Sequence, residues 1–182
     1  MNAKDEYGKS VLYWCIEKEK LEIAEYLIGE EVDVNTKTNT DGMTPIILAS
    51  EKGYLALVQQ LIKQGANIEA KSNKNLEAAY AAAQHGHFDT LKVLIENNPN
   101  VSDRQGFKGQ TPLGAAAYNG HLEVVEYLVT QLHVRINIKD DNDQTPLTLA
   151  EFGNKACLFK TTPKCPSYKN IVAFLKQNGA HL

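Results

Sequence analysis

A helical pattern of apolar and polar residues returns about every 33 residues along this chain. Equivalent cap positions are Ser10, Thr44, Glu77, Thr111 and Thr145, at intervals of 34, 33, 34 and 34 residues. A short run of small apolar residues follows each position. A second segment with apolar residues at i, i+3 and i+4 spacing comes next. The pattern predicts stacked pairs of helices, with inner helices near residues 44–52, 77–85, 111–119 and 145–152.

The ends of the predicted inner helices carry helix-start and helix-stop residues. Three of the cap positions are threonine followed by proline, as in Thr44-Pro45. A threonine hydroxyl can accept a bond from a free backbone N–H, and proline suits the first helical position. Glycine then ends three of the helices, at Gly53, Gly86 and Gly120. Glycine adopts the left-handed conformation at little cost, so these positions favour helix ends.

The stretch QTPLGAAAYNGHLEVVEYL, residues 110–128, resembles the core of an ankyrin repeat. The resemblance covers essentially the whole chain as one domain of five repeats. These lie near residues 5–37, 38–70, 71–104, 105–138 and 139–182. It implies an all-α solenoid of stacked helix-turn-helix units with short β-hairpin fingers. The function that the resemblance implies is a non-catalytic protein–protein interaction module. No single repeat buries its apolar face without a neighbour, so the repeats stack and form an extended surface.

Three repeats depart from the pattern. Repeat one is charged from Glu17 to Lys20, as suits a capping repeat with one face unstacked. Repeat three has Glu77 for the cap threonine and Asn75 for the finger glycine, so we expect its finger to be the most irregular. Repeat five has an insertion near residues 154–167 in place of the usual short turn. We interpret it as a surface loop or part of a C-terminal cap.

The insertion also raises a second possibility, a redox or metal switch at Cys157 and Cys165. Nearby lysines favour lower thiol pKa values, and the two cysteines could pair as a labile disulfide. Their spacing is not the paired Cys-x-x-Cys of a zinc site, so we predict no metal site. Cys15 takes the place of an inner-helix alanine and is expected to be buried.

Composition excludes several classes of protein. The net charge is −3, so the chain lacks the basic footprint of a nucleic-acid-binding protein. It contains no apolar run long enough for a membrane span, and its polar start lacks the apolar core of a secretory signal. Three cysteines favour a reducing compartment. We expect a cytoplasmic monomer without a cofactor, in the host cytosol if the protein is a secreted effector.

The candidate site follows from the resemblance. Ankyrin partners dock on the concave surface formed by finger tips and exposed inner-helix positions. Aromatic residues at such positions are frequent interface anchors. The residues of this chain that occupy them and that we predict to bind a protein partner are Tyr7, Met43, Lys74, His85, Phe107, Lys108, Tyr118, Asn119 and Phe152.

The histidines His87 and His121, and separately Asn35, allow both a structural and a functional interpretation. His87 and His121 occupy the Gly-His position of the repeat, where a packing role is expected. No phosphate loop or nucleophile elbow occurs, so we predict no enzymatic activity.

Asn35, with Leu27 eight residues earlier and Val34 before it, resembles a substrate of an asparaginyl hydroxylase. It is equally suited to tying the finger backbone by side-chain hydrogen bonds.

An alternative role remains open at this point. The segment Asn2-Ala3-Lys4-Asp5 resembles the end of a preceding finger. The protein either starts abruptly or is part of a longer array. The chain could therefore be the targeting portion of a larger enzyme or of a microbial effector.

Overall fold

The structure, a computed structural model, describes residues 3–30, 32–156 and 165–181, without the side chains of residues 165 and 166. Within them, ten α-helices alternate between an inner and an outer layer and no β-strand forms, which confirms the all-α repeat fold. The helices are α1 (Val11–Glu17), α2 (Leu21–Gly29), α3 (Pro45–Lys52), α4 (Leu55–Lys63), α5 (Ala78–His85), α6 (Phe88–Asn97), α7 (Pro112–Asn119), α8 (Leu122–Thr130), α9 (Pro146–Ala156) and α10 (Cys165–Gln177).

The predicted helix caps are confirmed. The Thr111 hydroxyl accepts from Gly114 N at 3.2 Å, and Ser10 does the same for Tyr13 N in repeat one. Gly53 adopts φ 73° in the left-handed region at the end of α3, as do Gly86 and Gly120 at the ends of α5 and α7. The local sequence therefore determines where each inner helix begins and ends.

The inner helices pack closely because their facing residues are small. Ala82, Ala83, Ala116 and Ala117 are fully buried. They belong to one hydrophobic cluster that extends from Leu12 in α1 to Leu175 in α10. Burial of apolar surface between neighbouring repeats is the main stabilising contribution in such an array. None of the described helices is long and apolar enough to span a bilayer.

Histidine rings at the N-caps of the outer helices α6 and α8 join repeats three and four to the inner helix of the repeat before. The Nε2 atoms of His87 and His121 lie 3.0 Å from Glu51 O and 2.9 Å from Gln84 O. A carbonyl only accepts, so each Nε2 carries the proton and donates. A Cβ added to Gly53 would overlap the ring of His87. The packing role predicted for these histidines is confirmed.

Tyr168 takes the place of this histidine in repeat five. Its hydroxyl donates to Tyr118 O at 2.9 Å, a carbonyl equivalent to Gln84 O, although its ring covers Gly153 of its own repeat instead of a glycine of the preceding one. The spacing of the repeat therefore resumes at Tyr168 despite the insertion. The expectation of a loop near 154–167 is wrong for its described ends, because α9 continues to Ala156 and α10 begins at Cys165. Residues 157–164 lie outside the described residues.

The expectation for the repeat-three finger is also wrong. Its turn is closed by Ser72 N donating to Leu76 O at 3.0 Å, with Asn75 at φ 59°. Fingers one, four and five close in the same way. Asparagine tolerates the left-handed conformation, so the turn keeps its form. Finger two is one residue wider, because its closing bond runs from Thr38 N to Met43 O. Finger four differs in having a second residue in the left-handed region, Lys108 at φ 55° beside Gly109 at φ 69°, in the 3₁₀ turn Phe107–Gly109.

The exposed face of repeat one is only partly polar. Ile23 and Tyr26 of α2 are 52% and 65% exposed, whereas Leu57, the equivalent of Ile23 in repeat two, is buried. The indole of Trp14 is partly covered. Lys9 Nζ lies 4.8 Å from the ring and Trp14 Nε1 donates to Asp5 at 2.7 Å. Charged residues thus coat part of a surface that later repeats bury against a neighbour.

Glu77 replaces a helix cap with an ion-pair network between repeats. It is 3% exposed and makes no capping bond. Its Oε2 lies 3.3 Å from Arg104 Nε, and its Oε1 lies 3.0 Å from Lys71 Nζ in an ion pair not aligned as a hydrogen bond. Arg104 also binds Glu69 at 2.9 Å. Arg104 thereby couples the start of finger four to repeat three.

We predict that Arg104→Ala lowers the free energy of unfolding by about 2–3 kcal/mol, because it leaves the buried Glu77 carboxylate with one cation instead of two. Adding Glu77→Thr to this variant should restore most of the loss, since threonine can cap α5 as it caps α7. Urea denaturation followed by circular dichroism measures both effects. The control is Lys92→Ala, whose exposed pair with Glu96 should contribute less than about 0.5 kcal/mol. An equal effect of the two single variants would contradict the role of Arg104.

We also predict an order of local unfolding. Each repeat is stabilised by its neighbours, so the terminal repeats lack one stabilising contact. Amides of α3 to α8 should exchange with deuterium more slowly than those of α1 and α2. Hydrogen exchange followed by mass spectrometry on the native protein tests this order. Equal protection of α1 and α7 would exclude it.

Candidate binding surface

The concave face changes its chemistry along the array. One inner-helix position, seven residues after the cap, is occupied in successive repeats by Glu17, Glu51, Gln84, Tyr118 and Phe152. The same backbone position therefore presents two carboxylates, then an amide, then two aromatic rings. Because successive repeats place equivalent residues side by side, the face has an acidic N-terminal end and an aromatic C-terminal end.

Two aromatic residues at this position pair with each other in the open. The rings of Tyr118 and Phe152 stack with centroids 6.3 Å apart and an angle of 9° between their planes. They remain 44% and 58% exposed. Large aromatic residues that stay exposed while packed against each other form a pre-ordered apolar patch, and such patches are typical of interfaces.

Phe107 adds a third ring from finger four. In the other junctions, an Asn or Asp at this site covers the glycine of the preceding finger, as Asn73 covers Gly42. Asn73 N also donates to Asp41 O at 2.8 Å. Finger three has Asn75 in place of glycine, and Phe107 instead turns its ring to Tyr80 with centroids 6.2 Å apart. We call Phe107, Tyr118 and Phe152 the aromatic strip.

A small pocket lies beside the aromatic strip. This repeat-four pocket has a volume of about 190 Å³, and its lining includes Phe107, Lys108, Tyr118 and Asn119 from the predicted set. Lys108 is exposed, and Asn119 Nδ2 donates to Ala115 O at 2.9 Å. Four of the predicted residues are thus brought together around one concavity.

The floor of the repeat-four pocket is a hydrogen-bonded chain that sequence reasoning missed. The Tyr80 hydroxyl donates to Gln110 Oε1 at 3.0 Å, and Gln110 Nε2 donates to Asp140 Oδ2 at 3.2 Å. Burial, with a smaller contribution from the Asp140 charge, raises the pKa of Tyr80 to about 12. The hydroxyl therefore stays protonated and orders Gln110 between fingers four and five. Tyr80 is equivalent to Tyr13, Ile47, Gly114 and Thr148, and a hydroxyl-bearing ring at this inner-helix position was the available sequence signal.

A larger concavity, the N-terminal groove, lies between the fingers and inner helices of repeats one to four. It has a volume of about 500 Å³, and its lining includes Met43, Lys74, His85 and Phe107. Met43 was expected to be exposed, but it is 7% exposed because it packs into the core cluster. Phe107 lines both concavities and so separates the groove from the repeat-four pocket.

Tyr7 is apart from the residues that line these two concavities. It lies in finger one and is 50% exposed. Its carbonyl oxygen accepts from Asn39 N at 2.7 Å, which joins the first two fingers. The predicted set is therefore divided between the groove and the pocket, with Phe107 lining both. Phe152 lines neither and stacks on Tyr118, and Tyr7 lies apart.

Asn35 has the structural role that the sequence left open. Its Nδ2 donates to Gly65 O at 3.0 Å, and its Oδ1 accepts from Asn67 N at 2.7 Å. Both ends of the amide thus tie repeat one to repeat two. Hydroxylation of Asn35 stays a prediction.

The structure describes Cys15 but not Cys157 or the side chain of Cys165. Cys15 is a buried free thiol, and burial raises its pKa. Among the described residues, no group of three His, Cys, Asp or Glu side chains could hold a metal ion. Cys157 and the side chain of Cys165 lie outside the described residues, so the redox or metal switch remains a hypothesis.

Comparisons with known proteins agree with the repeat architecture. A family model described as ankyrin repeats (3 copies) matches residues 1–72 and 77–160. The chain is 33% identical over 147 residues to alpha-latrocrustotoxin-Lt1a of Latrodectus tredecimguttatus, covering 79% of the chain and 10% of the toxin. It is 28% identical to the poly [ADP-ribose] polymerase tankyrase of Caenorhabditis elegans, covering 81% of the chain and 8% of that enzyme.

A shorter relative is the probable 26S proteasome regulatory subunit p28 of Saccharomyces cerevisiae. It is 28% identical, over 79% of the chain and 64% of the yeast protein. The chain thus spans about a tenth of the two long relatives and almost two thirds of the short one. Ankyrin repeats are protein-interaction modules, and the stacked helix pairs with their capped inner helices are this architecture. The chain belongs to the ankyrin-repeat family.

Proposed function

We propose that this chain is a non-catalytic module that binds a protein partner through the aromatic strip on its concave face. The observation that carries the proposal is the exposed stack of Tyr118 on Phe152, with Phe107 projecting from the neighbouring finger. These rings are held before binding, so little conformational entropy is lost when a partner covers them. A few such anchors can dominate the affinity of an interface.

The surroundings of the strip favour a protein partner. The repeat-four pocket offers amide groups from Gln110, Asn119, Asn142 and Gln144 next to the rings. A polar rim around an apolar centre is the usual composition of a protein–protein interface. The net charge of −3 does not favour nucleic acid. The proposed form is a monomer in the cytoplasm, where Cys15 stays a thiol.

A second candidate is compatible with the same surface. The chain is similar to a tankyrase, of which it covers 8%, and to the putative ankyrin repeat protein FPV031 of fowlpox virus, of which it covers 43%. The repeats could therefore act as the targeting portion of a larger enzyme or of a microbial effector. Binding would again occur at the concave face, and the catalytic part would lie elsewhere.

We predict that Phe107→Ala and Tyr118→Ala each weaken partner binding by at least about 1–2 kcal/mol and leave the helical circular-dichroism spectrum intact. The partner is first identified by affinity capture on the native chain from the relevant cell. Its purified form is then titrated against each variant by isothermal calorimetry. The controls are Gln59→Ala and Glu123→Ala, exposed positions on the outer helices α4 and α8, which should leave the affinity unchanged.

Two results would overturn the concave-face proposal. One is unchanged affinity in the Phe107→Ala/Tyr118→Ala double variant. The other is complete loss of binding when residues 155–166 alone are deleted while the circular-dichroism spectrum and the urea midpoint stay native. The second result would assign binding to the insertion.

A further inference from the structure

The N-terminal groove has an acidic end that the aromatic strip does not use. Glu17 and Glu51 occupy equivalent positions on α1 and α3, and Asp41 of finger two belongs to the same groove lining. Three carboxylates thus border one concavity. A buried polar group lies on the same lining.

Tyr13 is that buried group. Its side chain is 4% exposed and lines the groove. Its hydroxyl oxygen is not among the fully enclosed atoms, so it reaches the groove surface, where no described residue forms a hydrogen bond with it. Burial first, and then the charges of Asp41, Glu17 and Glu51, hold the pKa of Tyr13 well above its usual range. The hydroxyl is therefore protonated, lies within the field of all three carboxylates and can donate or accept a bond.

The negative charge in the groove is only partly compensated. Glu17 forms an ion pair with Lys9 at 2.8 Å. Asp41 accepts from Met43 N at 3.3 Å and from the Thr38 hydroxyl, both through Oδ1. Neither Asp41 nor Glu51 makes an ion pair with a residue that the structure describes. The basic residues of the lining, Lys74 and His85, come from repeat three.

We propose that this end of the groove binds an arginine side chain of the partner protein, between Asp41, Glu51 and the Tyr13 hydroxyl. The inference rests on the proposed function, because it specifies the chemistry of the same partner. Arginine fits better than lysine, since its planar guanidinium has five donors for acceptors in several directions and is less strongly hydrated. Its aliphatic part would lie against Met43 and Leu76, two of the apolar side chains of the lining.

The test uses a small probe, N-acetyl-arginine N-methylamide, titrated into the ¹⁵N-labelled chain and followed by NMR. The expected result is saturable shifts confined to amides around Tyr13, Asp41, Met43 and Glu51. The matched probe is the citrulline analogue, which has nearly the same shape without the charge. It should cause no saturable shifts at the same concentrations.

Variants of the groove give the second arm. Asp41→Asn/Glu51→Gln should weaken binding of the arginine probe at least about tenfold, because each charge-assisted bond loses its charge. Tyr13→Phe keeps the ring and should weaken it about fivefold, the usual contribution of one hydrogen bond. The control Glu123→Gln/Glu126→Gln makes the same change in net charge on the outer face of α8 and should bind like the native chain.

The outcomes separate this inference from the proposed function. Equal shifts with the citrulline probe, shifts spread over all acidic surfaces, or native affinity in Asp41→Asn/Glu51→Gln would overturn the arginine site. None of these results concerns the aromatic strip. Tyr118→Ala lies outside the groove lining and should bind the probe normally, so its effect on the partner reports on the proposed function alone.

Discussion

The close approach of neighbouring inner helices is the contact on which the rest of this molecule depends. Fully buried alanines such as Ala82 and Ala116 line the contact, and a Cβ on Gly114 would already lie 3.5 Å from Leu149. A larger side chain there would separate two repeats and displace every finger beyond them. The ring-to-carbonyl bonds and the finger contacts between repeats depend on this spacing, whereas the helix caps are local to each repeat.

Different side chains make the equivalent hydrogen bond between neighbouring repeats. The ring side chains of His87, His121 and Tyr168 each donate to a carbonyl of the preceding repeat's inner helix at 2.9–3.0 Å. The geometry requires a flat ring with a donor at its far end, and imidazole and phenol both meet that requirement. The same tolerance appears at the start of α5. There Glu77 replaces a capping hydroxyl with ion pairs to Lys71 and Arg104.

The regular backbone of the repeats explains how one concave face combines acidic and aromatic side chains. Equivalent inner-helix positions lie side by side, so a change from Glu51 to Tyr118 alters the chemistry without moving the backbone. The acidic groove and the aromatic strip meet at Phe107, which lines both concavities. A partner that spans this face would present a cationic side chain and an apolar segment at a spacing set by the repeat.

The sequence by itself determined the fold class and the helix caps, because these follow from a 33- to 34-residue period and local backbone preferences. The same period identified Phe107, Tyr118 and Phe152 as candidate binding residues. The tertiary structure alone decided which of them meet. It buried Met43, kept the Asn75 turn in the common form, placed a second left-handed residue, Lys108, in finger four, and continued helices into the ends of the insertion. It also left the Tyr13 hydroxyl unpaired among carboxylates from two repeats. Such outcomes depend on contacts between residues about 30 positions apart, which local periodicity does not encode.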